Sequence, residues 1–173
     1  MWLGYCKCMG FVLRSIEAVP DAIFGVLYRS LCRHEDGRGW LVELYREDEV
    51  SDFIVPVMSY ISMTLPGVVR GPHEHRFQTD YFSFIGPGDF EIFLWDARVY
   101  SPTYGVHTKT ACGESNPCAI MVPPGVVHAY RNVGDVPGWV LNSPDRLYAG
   151  WGKSGDVDEI RHEIDPNSPF KLL

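Results

Sequence analysis

Turn-forming residues recur about every ten positions through most of this chain, and that spacing limits the fold more than any other feature. The breaks are Asp36-Gly-Arg-Gly39, Leu65-Pro-Gly67, Gly86-Pro-Gly88, Ser101-Pro102, Pro123-Pro-Gly125 and Pro137-Gly138. Between them lie short runs rich in β-branched and aromatic residues: 40–45, 81–85, 89–95, 119–122 and 139–141. Helices need longer uninterrupted periodicity, so the pattern predicts an all-β fold, a sandwich or barrel. Gly86-Pro-Gly88 is expected to join two antiparallel strands as a short hairpin loop. By strand alternation, Trp40, Phe82, Phe84, Phe93, Trp95 and Trp139 are expected mostly in the core. Residues 157–162 read either as a turn or two of helix or as extended chain, since Asp165-Pro166 soon limits a helix. Residues 1–22 read as an N-terminal arm or edge strand, and residues 23–173 as one barrel domain.

The chain has 173 residues, enough for one domain with a real core, and 46% hydrophobic with 21% charged residues is a globular composition. A formal net charge of -7 argues against general nucleic-acid binding, which needs a basic surface. It leaves room for a phosphorylated ligand held by a local arginine cluster. No apolar run is long enough to span a membrane. The apolar stretch at residues 1–13 is broken by Lys7 and lacks a clean cleavage site, so a mature arm is favoured over a signal peptide. Cys6, Cys8, Cys32, Cys112 and Cys118 are odd in number and irregular in spacing; reduced thiols in a cytoplasmic protein are the simplest reading. The acidic run Glu47-Asp48-Glu49 with Asp52 reads as a solvated loop.

Two histidine motifs carry the chemistry. The first runs from Gly67 through Arg70, His73 and His75 to Asp80; the second runs from Pro123 through Gly125 and His128 to Asn132. Side chains two apart on a strand share a face, so His73 and His75 converge. With His128 and Asp80 they suit a divalent metal such as Zn, Mn, Fe or Ni. Asp80 is the shortest-reaching of the four, and Gln78 is a neighbouring alternative. Equally, His73 can act as a base, with His75 a polar pocket residue and His128 a hydrogen-bonded structural one. The two readings exclude one another at His73, because a metal-bound nitrogen has no lone pair left for a proton.

These motifs resemble the signature of the cupin superfamily, double-stranded β-helix barrels of the jelly-roll type. Across most of the chain a narrower likeness holds: it is similar to the dTDP-4-dehydrorhamnose 3,5-epimerase family. The matching stretches are Asp36–Glu43, Gly67–His73, Trp95–Arg98 with Ser101–Gly105, Val122–Tyr130, and Glu159-Ile-Arg161 leading to Asp165-Pro166. The likeness implies a dimeric cupin, paired through swapped N-terminal strands, that acts on a nucleotide-linked 4-keto sugar without a cofactor. It implies that His73 is the base, Asp165 its orienting carboxylate, Arg70 an anion contact and His128 a pocket contact. Arg38 and Glu43 would reach the nucleotide sugar from the partner subunit. The chain departs from the family at several places. Leu141 stands where the family has its acid tyrosine, with Tyr148 nearby; Asp80 or Tyr81 replaces a lysine; Met58 replaces a glutamine; and His75 is an added histidine. Altered chemistry is therefore expected: inversion at one carbon, ketone migration, or a different sugar. A metal-dependent isomerase or oxygenase, and a sugar-binding protein without turnover, are the competing readings.

Overall fold

Side-chain alternation along the strands decides how this chain closes on itself. The computed structural model describes residues 22–50 and 52–172, and almost all of its regular structure is β. The N-terminal strands are β1 (Leu27–Ser30), β2 (Arg33–Asp36) and β3 (Gly39–Val42). The next are β4 (Tyr60–Thr64), β5 (Val69–Glu74), β6 (Asp80–Phe84) and β7 (Asp89–Asp96). The remainder are β8 (His107–Gly113), β9 (Cys118–Val122), β10 (Val126–Asn132), β11 (Gly138–Asn142) and β12 (Ile160–Arg161). One antiparallel sheet has the order β1-β9-β6-β11-β4, the other β12-β5-β10-β7-β8, and β2 with β3 forms a separate hairpin. Two facing antiparallel sheets built from such crossed connections are a jelly-roll barrel, within the all-β sandwich or barrel class that the turn spacing predicts and of the type that the cupin resemblance implies.

The barrel interior is filled by alternate residues of both sheets. Phe82 and Phe84 of β6, Phe90, Ile92 and Leu94 of β7, Ile120 and Val122 of β9, Val126 and Tyr130 of β10, and Val140 of β11 form one buried cluster. A second cluster lies on the outer face of the first sheet, where Tyr81, Ala119 and Met121 meet Leu31, Ile54, Val42, Leu44 and Tyr45. The N-terminal segments thus serve as a cover for one sheet. The Glu47–Val50 run, expected as a loop, is a single helical turn, α1, and its acids are solvated but paired: Arg29 meets Glu49, and Arg46 meets Asp48 and Glu49.

Gly86-Pro-Gly88 is not a hairpin loop within one sheet. It carries the chain from β6 in the first sheet to β7 in the second. Gly88 has φ +87, and a Cβ there would lie 2.7 Å from Gly138 Cα, so the corner needs a residue without a side chain. Cys112 and Cys118, expected as thiols, are joined in a disulfide that ties β8 to β9 and so links the two sheets. Their Cα atoms are 6.0 Å apart, within the normal range for a bridge, and six-residue spacing alone does not reveal that proximity. Trp40 and Trp139 are half exposed rather than core, because among the described residues nothing covers them on β3 and on the outer face of β11. Residues 160–161 are extended, pairing with β5, which settles the helix-or-strand alternative there. The expected arm at 1–22 lies outside the described residues except for its last position.

Candidate active site

Strand β5 is the element that makes the site. It pairs with β10 so that His73 faces His128 and Arg70 faces Tyr130. Between these pairs β5 has one residue more than β10, a bulge around Gly71-Pro72. The bulge changes the parity of the strand. Directly paired residues share a face, and His128 and Tyr130 share one, so Arg70 and His73 point the same way although they are three apart. Gly71 is needed here: its φ is +84, and a Cβ would lie 2.5 Å from the His128 carbonyl oxygen.

The three imidazoles come together as the motif spacing implies. One ring nitrogen from each of His73, His75 and His128 lies within 4.8 Å of the others. The His73 and His128 ring centres are 4.3 Å apart. Asp80, 1% exposed, enters from β6 in the opposite sheet. Its Oδ1 accepts from Gln78 Nε2 at 2.8 Å and from Asn142 Nδ2 at 2.7 Å. Its Oδ2 is 3.2 Å from His75 Nε2 and 3.3 Å from His128 Nε2. Asn142 also donates to Tyr60 Oη at 3.0 Å, extending the polar layer to β4. The donor set of imidazoles and one carboxylate fits a first-row divalent metal chemically.

Asp158 organises the loop after β5. Its carboxylate accepts the backbone N–H groups of Arg76, Phe77 and Gln78 at 2.8–3.0 Å, and its carbonyl receives His75 Nδ1. Burial raises the Asp158 pKa, and those three donors more than offset it, leaving it lowered. For Asp80, burial likewise opposes ionisation, but the hydrogen bond from His75 and the neighbouring imidazoles outweigh it and the pKa is lowered. His75 is depressed by burial, then lifted further by the Asp80 hydrogen bond and charge, to about 9. Burial and the adjacent imidazoles of His128 and His75 push His73 down to about 2, so its ring is neutral. Burial pushes His128 down as well.

His73 and His75 open into a cavity of about 980 Å³. Its walls include Met58 and Tyr60, and the segment 145–161 supplies Arg146, Tyr148, Lys153, Glu159 and Arg161. The same lining carries four carboxylates, Asp145, Asp156, Asp158 and Glu159, and Arg161 is paired with the last, so Arg146 and Lys153 are the cations left to meet an anionic ligand. Glu159 Oε1 lies 4.0 Å from His73 Nε2, and Arg161 Nε donates to its other oxygen at 2.7 Å.

Other expected site residues fall elsewhere. Asp165 is not brought to His73: it is exposed, and its carboxylate accepts the Asn167 N–H in a local turn. The nearby carboxylate is Glu159, because pairing of β12 with β5 sets Arg161 opposite His73 and leaves Asp165 in the loop beyond. Arg38 and Glu43 do not line this cavity. Arg38 pairs with Asp36, and Glu43 with Arg46. Arg70 donates to Thr64 Oγ1 at 2.9 Å and to the Met63 carbonyl at 2.7 Å, and no carboxylate among the described residues pairs with it. Leu141 lies on the opposite face of β11 from Asn142, whose side chain reaches Asp80. Sequence reading passed over Asn142, Asp158, Arg146 and Lys153. Alternation from Val140 would have turned Asn142 inward; the others lie on loops, where no periodicity applies.

An antiparallel jelly-roll barrel with inward histidines and a cleft at its mouth defines a cupin-like enzyme. Residues 20–142 match the profile of the dTDP-4-dehydrorhamnose 3,5-epimerase family, and the chain belongs to that family. A probable low-salt glycan biosynthesis epimerase, Agl13, from Haloferax volcanii is 39% identical over 144 residues, 83% of this chain and 89% of that protein. The spore coat polysaccharide biosynthesis protein SpsL of Bacillus subtilis is 36% identical over 115 residues, 66% of this chain and 75% of that one. The crystal structure of a dTDP sugar isomerase from Desulfovibrio desulfuricans superposes with a TM-score of 0.74 at 25% identity, covering 86% of this chain and 91% of that one. The protein is accordingly an enzyme of the nucleotide-sugar epimerase type. No helix among the described residues is long and apolar enough to cross a membrane.

Proposed function

We propose that the protein epimerises a nucleotide-linked 4-keto-6-deoxy sugar, with His73 removing the proton from a carbon next to the ketone. The observation that carries this reading is that the His73 ring opens into a cleft whose walls also hold Tyr148, Arg146, Lys153 and Arg161. The C–H bond breaks, its electrons move into an enolate, and the proton passes to the imidazole. Reprotonation from the other face inverts the carbon, and the Tyr148 phenol is the acid for that step. Arg146 and Lys153 meet the diphosphate, and Arg70 holds an anionic group at the barrel mouth. His128 supports the pocket, and Arg38 and Glu43 act on the partner's site. These proton transfers require no cofactor. The working form in this reading is a cytoplasmic homodimer, for which the exposed Trp40, Leu41, Ile61, Met63 and Trp139 supply apolar surface.

The test is dTDP-4-keto-6-deoxyglucose in deuterated buffer, followed by NMR. Deuterium should enter at a carbon beside the ketone, and His73→Asn should slow entry by about 100-fold or more. No exchange with the wild-type protein, or undiminished exchange in the variant, would overturn the reading.

A further inference from the structure

Resting on the keto-sugar reading, we infer that the Tyr60 hydroxyl donates the hydrogen bond that stabilises the enolate oxygen when His73 takes a proton. Breaking the C–H bond sends its electron pair into the adjacent carbon–carbon bond and pushes charge onto the ketone oxygen. That oxygen becomes an anion inside the cleft, and a donor already aimed at it lowers the barrier. Tyr60 is placed for this. It opens β4, the edge strand of one sheet, while His73 lies on β5 of the other, and both line the cleft. The base and the phenol thus reach one cavity from different sheets. The charge of Glu159, whose Oε1 is 4.0 Å from His73 Nε2, also acts on the Tyr60 phenol.

The neighbouring amide decides which way the hydroxyl points. Asn142 is 1% exposed, and its orientation is locked. Its Oδ1 accepts the Tyr81 backbone N–H at 3.0 Å, and its Nδ2 lies 2.7 Å from Asp80 Oδ1. A flipped amide would set its oxygen against the carboxylate and its N–H against another N–H. Both Nδ2 hydrogens are therefore committed, one to Asp80 Oδ1 and the other to Tyr60 Oη at 3.0 Å. Tyr60 Oη is the acceptor in that contact, so its own hydrogen turns away from Asn142. No acceptor among the described residues takes it, and Tyr60 is half exposed on the cleft wall.

Other donors beside the base are already engaged. The ring nitrogens of His75 meet the Asp158 carbonyl and Asp80 Oδ2, and Arg161 is drawn to Glu159. Burial raises the Tyr60 pKa to about 12, so at neutral pH the phenol keeps its proton and offers only a hydrogen bond. The proton taken from carbon stays on His73, and the Tyr148 phenol remains the acid for the other face.

The experiment is deuterium wash-in to dTDP-4-keto-6-deoxyglucose at saturating substrate, followed by NMR, for the wild type and Tyr60→Phe. Affinity for dTDP by calorimetry and thermal melting are read on both. Tyr60→Phe should slow wash-in and inversion together by about 100-fold, with dTDP affinity changed less than about threefold. Wash-in within a few-fold of wild type in the folded variant would overturn the inference. Loss of inversion alone would also overturn it, since that is the mark of the other-face acid. So would a fall in dTDP affinity as large as the fall in rate, the mark of a binding residue. Phenylalanine leaves one Asn142 hydrogen without its acceptor, so a fluorinated tyrosine at position 60 is the second variant. It keeps the shape and makes the phenol more acidic. Wash-in should then fall with rising pH in a range where the wild type stays level, and matching pH profiles would overturn the inference. Absence of wash-in by the wild type overturns the keto-sugar reading itself, whereas wash-in indifferent to Tyr60 overturns only the enolate donor.

Discussion

Arg70 and His73 project from the same face of β5 although they are three residues apart, because the bulge at Gly71-Pro72 sets them opposite Tyr130 and His128. A regular strand would turn one of the two away. The arrangement places a cation with no carboxylate partner among the described residues on the face that carries the base, and one backbone irregularity is responsible for it.

Replacing Gly71 with alanine should break that relationship. The added Cβ meets the His128 carbonyl oxygen at 2.5 Å, and the backbone sits at φ +84. We expect a loss of about 3 kcal/mol of stability, measured by urea unfolding, with exchange activity lost at temperatures where the fold survives.

Arg70→Met should act on binding rather than chemistry. Removing the guanidinium while keeping much of its length should raise KM for the nucleotide sugar by about tenfold or more, with kcat changed far less. Steady-state kinetics at two ionic strengths checks this; equal loss of kcat and kcat/KM would place Arg70 in the chemical step.

Tyr148→Phe should separate proton removal from inversion. The phenol lines the cleft with His73, and its loss should leave deuterium wash-in within a few-fold of wild type while inverted product falls by about 100-fold. NMR of product stereochemistry against deuterium content distinguishes the two. Equal loss of both would assign Tyr148 to binding.

Stability in acid should report Asp96. Burial alone would raise its pKa, but hydrogen bonds from Arg98, Ser101 and Thr103 hold the carboxyl well below the usual carboxylate range. A carboxyl lowered in the folded state contributes stability above its unfolded pKa of about 3.9, and that contribution is lost as pH falls toward the folded value. Asp96→Asn should be about 2 kcal/mol less stable at pH 7, and the gap should narrow below pH ~4. Denaturant unfolding across pH checks this; a gap independent of pH would mean packing, not charge, underlies the effect.

Much of the site was legible because strand periodicity is local. His73 and His75 two apart, and the Gly125-to-His128 turn-and-strand pattern, are enough to bring three imidazoles into one pocket. Asp165 was not legible. Its distance from His73 depends on where β12 pairs with β5, and nothing local to Asp165-Pro166 specifies that register. Glu159, six residues earlier, lies near the base instead. The Gly86-Pro-Gly88 turn shows the same limit: its composition signals a reversal, but not whether the chain returns along one sheet or crosses to the other.

The amino-acid pattern by itself determined an all-β barrel, the family, and the histidines that meet inside, since each rests on spacing within a few residues or on motif identity. Tertiary structure alone decided the face of Arg70, the bridge between Cys112 and Cys118, and the meeting of Asp80 with His75 and His128. Those depend on strand register and on contacts between sheets, which are set by packing the whole barrel.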